Sequence, residues 1–188
     1  MTTPPSEAPT PLTIRPAVDA DLDALVELIE SAYRGDKARG GWTHEADLLG
    51  GQRIDADMLR DMLSDPKTAI VVAFEEDALV ACVEVRDKNS AAYLGLLTVR
   101  PDRQAAGLGR QLIAAAEAHG REVFGRDLMQ MTVIRQRTEL VAYYERRGYR
   151  LTGETAPFPY GDDRFGKPTR DDLEFAVMEK PIGEKPLG

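Results

Sequence analysis

Residues Val99–Arg110 read VRPDRQAAGLGR and follow an apolar run from Tyr93 to Val99. An alanine-rich pattern with helical spacing extends from Arg110 to His119, so a strand, a glycine-bearing loop and a helix start meet here. Free N–H groups and the dipole at a helix N-terminus favour a bound phosphate. Gly107 and Gly109 lack a Cβ, which lets an anion approach the main chain closely. The segment therefore predicts a pyrophosphate-binding loop.

Other phosphate-binding loops have a different spacing. A dinucleotide fingerprint needs a third glycine, whereas Gly109 is followed here by Arg110, Gln111 and Leu112. A Walker loop needs Gly-Lys-Ser/Thr, which the sequence lacks. The remaining alternative is that the two glycines only shape a turn.

Composition limits the class of protein. The chain has 188 residues, of which 43% are hydrophobic and 30% charged, which suits one soluble globular domain. Its formal net charge of −8 argues against a nucleic-acid partner, because phosphate contacts need clustered Lys and Arg. No apolar run is long enough to span a bilayer, so we expect no membrane partner. The single cysteine, Cys82, excludes an intrachain disulfide and suits the cytoplasm.

Hydrophobic periodicity predicts a single α/β domain around a mixed sheet. The strand candidates are Leu12–Pro16, Ala69–Phe74, Leu79–Arg86, Ala92–Val99, Leu128–Ile134 and Leu173–Met178. The helix candidates begin near Asp19, Asp55, Arg110 and Thr138. Short turns join the second, third and fourth strands and indicate an antiparallel meander. We expect the domain to cover residues 12–182, between flexible segments at 1–11 and 183–188, with a turn-rich stretch from Gly153 to Gly166.

A second motif lies near the C-terminus, where residues 144–149 read YERRGY. Together with Gln104-x-x-Gly107-x-Gly109 and the preceding Val99-x-Pro101, it resembles the GCN5-related N-acetyltransferase (GNAT) superfamily. The resemblance covers nearly the whole chain from Leu12 to Pro181. It implies a mixed, mostly antiparallel sheet flanked by helices and splayed between the fourth and fifth predicted strands. It also implies an acyltransferase that uses acetyl-CoA as co-substrate. His44 and His119 are far apart in sequence and have no nearby ligand cluster, so we expect no metal.

The resemblance further implies where acetyl-CoA binds. Its pantetheine arm would pair with the main chain of the fourth strand, and a backbone N–H near Leu97 would hydrogen-bond the thioester carbonyl and stabilise an oxyanion. The residues implied in cofactor binding are Leu97, Thr98, Val99, Gln104, Ala105, Ala106, Gly107, Leu108, Gly109 and Arg110. Arg137 stands where the second motif often has Asn, and it could instead meet the cofactor phosphates.

The resemblance makes Tyr144 the candidate general acid for the leaving thiolate. A phenol titrates near ~10 and an alkyl thiol near ~8.5, so a tyrosine is protonated at neutral pH and can donate. The alternative is an aromatic core residue on a short helix, and the neighbouring Tyr143 is assigned a packing role.

Fewer residues of this sequence match those that bind or activate the acceptor amine in relatives. Many relatives place a glutamate on the fourth strand as general base, but Tyr93–Leu97 reads YLGLL and has no carboxylate. Glu84 on the preceding strand is the candidate base, and its alternative is a solvent-facing strand residue. Trp42 and His44 lie in the long loop that covers the acceptor in relatives, so they are candidate substrate contacts.

The predicted function is transfer of an acetyl group to a primary amine of a small molecule by direct attack. Because the fourth strand lacks a carboxylate, one alternative is a non-catalytic acyl-CoA-binding sensor. Another is acetylation of a protein or peptide amine, which would need an open groove. Family members often dimerise, so the resemblance also allows a homodimer.

Overall fold

The computed structural model describes residues 11–33, 49–50, 53–163 and 166–183. The helices are α1 (Leu22–Tyr33), α2 (Ala56–Ser64), α3 (Leu108–Glu122) and α4 (Thr138–Glu145). The strands are β1 (Leu12–Pro16), β2 (Leu49–Gly50), β3 (Thr68–Glu75), β4 (Ala78–Asp87), β5 (Ala92–Val99), β6 (Leu128–Ile134), β7 (Arg150–Pro157), β8 (Lys167–Pro168) and β9 (Glu174–Pro181). Within the described residues, no helix combines the length and apolarity that crossing a bilayer requires.

Seven strands form one mixed sheet in the order β1-β3-β4-β5-β6-β9-β7, and β2 and β8 pair separately. Every neighbouring pair in the large sheet is antiparallel except β5 and β6, which are parallel. These two strands pair only at Ala92↔Met129 and Tyr93↔Gln130 and then diverge. The predicted fold, with its splay between the fourth and fifth predicted strands, is confirmed.

The sheet buries apolar side chains on both faces, because successive residues of a strand point to opposite sides. On β3, Val71 belongs to the core under α3, whereas the next residue, Val72, belongs to the core under α1 and α2. Cys82 on β4 lies with α1 and α2 and is fully buried. Helices on both faces therefore hold the diverging strands in place.

The structure differs from the sequence prediction in β7 and at the start of α3, and it adds the short β2–β8 pair. β7 runs from Arg150 to Pro157 and overlaps the stretch expected to be turn-rich. It is an edge strand that pairs with β9, and most of its side chains are exposed, so it carries no apolar alternation that periodicity could detect. α3 begins at Leu108 rather than Arg110, after a 3₁₀ turn at Pro101–Ala106.

Candidate active site

The predicted phosphate loop ends in a left-handed glycine. Gly107 has φ +75° and lies between the 3₁₀ turn and α3. No side chain caps this helix, and the first possible i→i−4 bond runs from Gln111 N to Gly107 O at 3.3 Å. A Cβ at Gly107 would meet no atom within 4 Å, so the space beside the start of α3 is open at this residue. The loop is thus shaped as an anion cradle.

Side chains fasten this loop to the end of β5. The Gln104 amide Nε2 donates to the Val99 carbonyl oxygen at 3.1 Å. Arg103, which precedes it, pairs with Glu75 at 2.7 Å, so part of the loop's positive charge is neutralised. Ala106 and Arg110 are exposed, whereas Leu108 and Gly109 are buried, and the Ala105 side chain lies outside the described residues.

A bulge interrupts β5 beside the diverging strands. Cys82 pairs with Thr98 and Glu84 pairs with Gly95, so β5 has one more residue than β4 between these rungs. Leu96 adopts φ +47°, which is strained for a residue with a Cβ.

Two hydroxyl groups hold the bulge. Thr98 Oγ1 donates to the Leu96 carbonyl oxygen at 2.8 Å, and Tyr33 Oη donates to the Leu97 carbonyl oxygen at 2.6 Å. Because both carbonyls are fixed, the main chain around Leu97 has a defined direction in the cleft wall.

The divergence of β5 from β6 opens a cleft of about 510 Å³. It brings together four of the residues named from sequence, Glu84, Leu97, Arg137 and Tyr144. Thr98 and Val99 continue β5 towards the phosphate loop and are buried. Trp42 and His44 lie outside the described residues.

Tyr144 on α4 belongs both to the core and to the cleft wall. Its residue surface is 6% exposed, and its ring stands edge-on to Tyr143 and Tyr149, with centroids 5.4 and 5.9 Å away. Burial raises the pKa of Tyr144 well above its usual value, so the phenol stays protonated at neutral pH. Tyr144 therefore packs in the core and also lines the cleft, so the core position does not exclude the role of general acid.

Glu84 is buried in the cleft wall, with 4% of its surface exposed. The solvent-facing alternative therefore does not describe this residue. Its carboxylate forms an ion pair with Arg86 and lies over Gly95. A Cβ built at Gly95 would be 2.6 Å from Glu84 Oε2, so the carboxylate fills the space of a β5 side chain.

Arg137 is 5% exposed and directly precedes α4. Its Nε lies 3.3 Å from Glu139 Oε1, and its side chain lines the cleft. The proposed contact with cofactor phosphates stays a prediction for this residue.

Sequence reasoning missed several polar members of the cleft wall. They are Tyr33, Arg53, Asp61, Arg86, Lys88 and Tyr93. A signal existed for Arg86, because Glu84 and Arg86 are two residues apart on β4 and such residues share one face of a strand. Gly95 was also informative, since a glycine inside a strand often marks a bulge or a close approach.

A sheet splayed beside an uncapped helix start, with a left-handed glycine between them, is the arrangement that the resemblance noted in the sequence implied for an acyltransferase. Residues 41–158, more than half of the chain, match the family described as "Acetyltransferase (GNAT) domain". The chain belongs to the GNAT acetyltransferase family and is an acyltransferase by class.

Solved structures share this fold at low sequence identity. The ribosomal-protein-S18-alanine N-acetyltransferase from Escherichia coli is 16% identical, with a TM-score of 0.67 over 94% of this chain and 97% of that one. A variant of the spermidine N-acetyltransferase SpeG from Vibrio cholerae is 15% identical, with a TM-score of 0.64 and coverage of 91% and 95%. yncA from Salmonella typhimurium, solved with acetyl-CoA, is 21% identical, with a TM-score of 0.61 and coverage of 93% and 96%. No curated protein matches the chain by sequence.

Proposed function

We propose that this protein transfers an acetyl group from acetyl-CoA to a primary amine of a small molecule by direct attack. The observation that carries the proposal is the cleft between β5 and β6. Its wall contains a buried carboxylate, Glu84, and a buried phenol, Tyr144, and the bulged main chain of β5 runs between them and the phosphate loop.

The residues around the cleft fit acetyl-CoA. The left-handed Gly107 and the uncapped start of α3 suit a pyrophosphate on the main chain of residues 104–110. The main chain of Leu97, Thr98 and Val99 would hold the pantetheine arm, and Arg137 would contact the phosphates. When bound, acetyl-CoA supplies an activated acetyl thioester.

Glu84 is the proposed general base. The resemblance places a relative's base on the fourth predicted strand, which is β5 here and has no carboxylate. The Glu84 carboxylate reaches over from β4 and occupies the space above Gly95. We therefore propose that a glutamate on the neighbouring strand performs this role, with its carboxylate positioned by the ion pair with Arg86.

Tyr144 is the proposed general acid. An alkyl amine arrives as an ammonium ion, since its pKa is near ~10.4, and Glu84 accepts one proton from it. The C–N bond then forms and the C–S bond breaks, while Tyr144 donates its proton to the leaving sulfur. The nitrogen loses a second proton, so one proton is released overall. The Leu97 N–H donates to the thioester carbonyl oxygen.

A small acceptor suits the size of the cleft. A volume of about 510 Å³ lies within the usual range of small-molecule sites. Proteins of this fold include one named for spermidine and one named for a ribosomal protein, so the fold alone does not select the acceptor. With one buried cysteine and a chain rich in charge, we propose a cytoplasmic enzyme.

The test is an amine panel incubated with the purified protein and acetyl-CoA. Release of free thiol is followed over time, and acetylated products are identified by mass spectrometry. We expect at least one small amine to be consumed, and Glu84→Gln to slow its acetylation by about a hundredfold. If acetyl-CoA binds but no amine is acetylated, the protein is a sensor. If only peptides are acetylated, the small-molecule assignment is wrong.

A further inference from the structure

The acceptor end of the cleft carries two neighbouring cationic side chains in an otherwise acidic protein. Arg86 and Lys88 line the cleft together with the carboxylates Asp61 and Glu84. Arg137 also lines it, but it pairs with Glu139 and is proposed to contact the cofactor phosphates. The formal net charge of the chain is −8, so the presence of Arg86 and Lys88 two residues apart in the cleft wall needs a reason in the ligand.

The cofactor phosphates do not supply that reason for Arg86 and Lys88. Arg86 is in register with Tyr93, near the beginning of β5, whereas the phosphate loop follows Val99 at its end. A strand rises by ~3.3 Å per residue, so the six steps from Tyr93 to Val99 separate these ends by roughly 20 Å. Arg86 and Lys88 therefore face the acceptor rather than the pyrophosphate.

The two cations have different neighbours. Arg86 pairs with Glu84, and Lys88 Nζ lies 4.0 Å from the centroid of the Tyr93 ring. Partial burial and the charge of Arg86 lower the pKa of Lys88 below its ordinary value. A bound anion would relieve this repulsion, whereas a second cationic group on the ligand would increase it.

We propose that the acceptor is a small amine that also carries a carboxylate or phosphate group, with this anion bound by Arg86 and Lys88. The proposal rests on the proposed acetyl transfer at the same cleft. The amine faces Glu84 and the bulge at Leu96 and Leu97. Successive same-face positions on a strand are ~7 Å apart, so amine and anion are separated by a few bonds, as in a small amino acid.

The test compares four primary amines: β-alanine, its amide, 2-aminoethyl phosphate and spermidine. We expect kcat/KM to be at least tenfold higher for the two anionic amines than for the amide, and lowest for spermidine. The ratio between β-alanine and 2-aminoethyl phosphate identifies the preferred anion. Lys88→Met should raise KM for the anionic amines about tenfold, as expected from losing one charge-assisted hydrogen bond, with kcat within about twofold.

Lys67→Met is the matched control, because Lys67 is an exposed lysine that contacts Asn89 and does not line the cleft. It removes the same charge from the protein and should leave every KM unchanged. Binding of β-alanine to the CoA complex is also measured by titration calorimetry for wild type and Lys88→Met.

The outcomes separate the two proposals. Equal or faster acetylation of the amide or spermidine overturns the anionic acceptor and leaves acetyl transfer intact. If no amine is acetylated but β-alanine binds and its binding depends on Lys88, the anion site is supported and acetyl transfer is overturned. Absence of both turnover and binding overturns the two together. A KM that Lys88→Met does not change overturns the assignment of Lys88.

Discussion

The two ends of the cleft are built in different ways. The proposed phosphate end, which follows the cleft along β5, is one continuous segment, Val99–Arg110, and it offers main-chain N–H groups of the α3 start. The acceptor end is assembled from side chains of α1, α2, β4 and β5, which are far apart in sequence. Main-chain groups do not depend on side-chain identity. The phosphate end can therefore keep one cofactor while the acceptor end changes its ligand.

The β5 bulge lies where these two ends meet. Leu96 carries the strained backbone, and its carbonyl and that of Leu97 are held by Thr98 and Tyr33. Strain of this kind persists only where neighbours fix it, and it is common at active sites. Variants on either side of the bulge should therefore affect either transfer chemistry or cofactor affinity, but not both.

Tyr144→Phe should have the largest effect. Removing a general acid lowers kcat by about a hundredfold or more, while the ring keeps its packing and acetyl-CoA binding is unchanged. Steady-state rates and the dissociation constant for CoA measure the two quantities separately. Because burial raises the pKa of Tyr144 well above its usual value, its donor form persists as pH rises, and wild-type kcat should show no loss from this group below about pH 10.

Tyr143→Phe is the matched control. Tyr143 precedes Tyr144 on α4, and its ring stacks under Arg147 at 3.3 Å rather than lining the cleft. Its substitution should leave kcat nearly unchanged. Full turnover in Tyr144→Phe at every pH would remove the general-acid assignment.

Gly95→Ala is expected to have the second-largest effect. Its new Cβ would lie 2.6 Å from Glu84 Oε2, so the carboxylate must move. We expect kcat to fall by roughly tenfold because the proposed base is displaced, with CoA affinity unchanged. Gly120→Ala is the control, since its Cβ would instead meet the Ala92 Cβ at 2.8 Å in the core. Gly120→Ala should lower the melting temperature and leave kcat unchanged. An equal loss of kcat in Gly95→Ala and Gly120→Ala would contradict the assignment of Glu84 as the base.

Gly107→Ala tests the phosphate end. A non-glycine residue at φ +75° costs roughly 1–2 kcal/mol, and a shifted loop loses contacts to an anion. We expect KM for acetyl-CoA to rise about fivefold to tenfold, with kcat at saturation unchanged. Gly125→Ala has comparable strain at φ +64° and equally open space, but it lies beyond the opposite end of α3 from the phosphate loop. Gly125→Ala should lower the melting temperature as much as Gly107→Ala does, but it should leave KM for acetyl-CoA unchanged. If KM rises in both variants, the effect comes from general destabilisation of the fold and not from the phosphate loop.

The same contrast explains what the sequence could predict. The phosphate end was predictable because its strand, glycines and helix start are neighbours in the chain. The position of Glu84 over Gly95 was not, because it depends on the register between β4 and β5 and on the extra residue of the bulge. Lys88 reaches the cleft through its contact with Tyr93, which no local pattern contains. β7 was missed because main-chain pairing to β9, rather than apolar alternation, defines it.

The smallest expected effect concerns the closed end of the cleft, where β5 and β6 still pair. There Arg126 binds Asp87 through two hydrogen bonds of 2.8 and 3.0 Å, and this ties the end of β4 to the start of β6. Arg126 lowers the pKa of Asp87 to about 2. Since the unfolded-state pKa is near ~3.9, the pair stabilises the fold above about pH 4, and this stability is lost as pH falls towards 2.

Asp87→Asn should therefore lower the melting temperature by roughly 1–3 °C at pH 7, and the difference from wild type should shrink below pH 4. Melting curves between pH 7 and pH 3 measure this directly. Arg126→Gln should cause the same loss, and the double variant should lose no more than either single one, because both substitutions remove one interaction. A difference that stays constant down to pH 3 would mean that the Asp87 charge does not hold the closed end together.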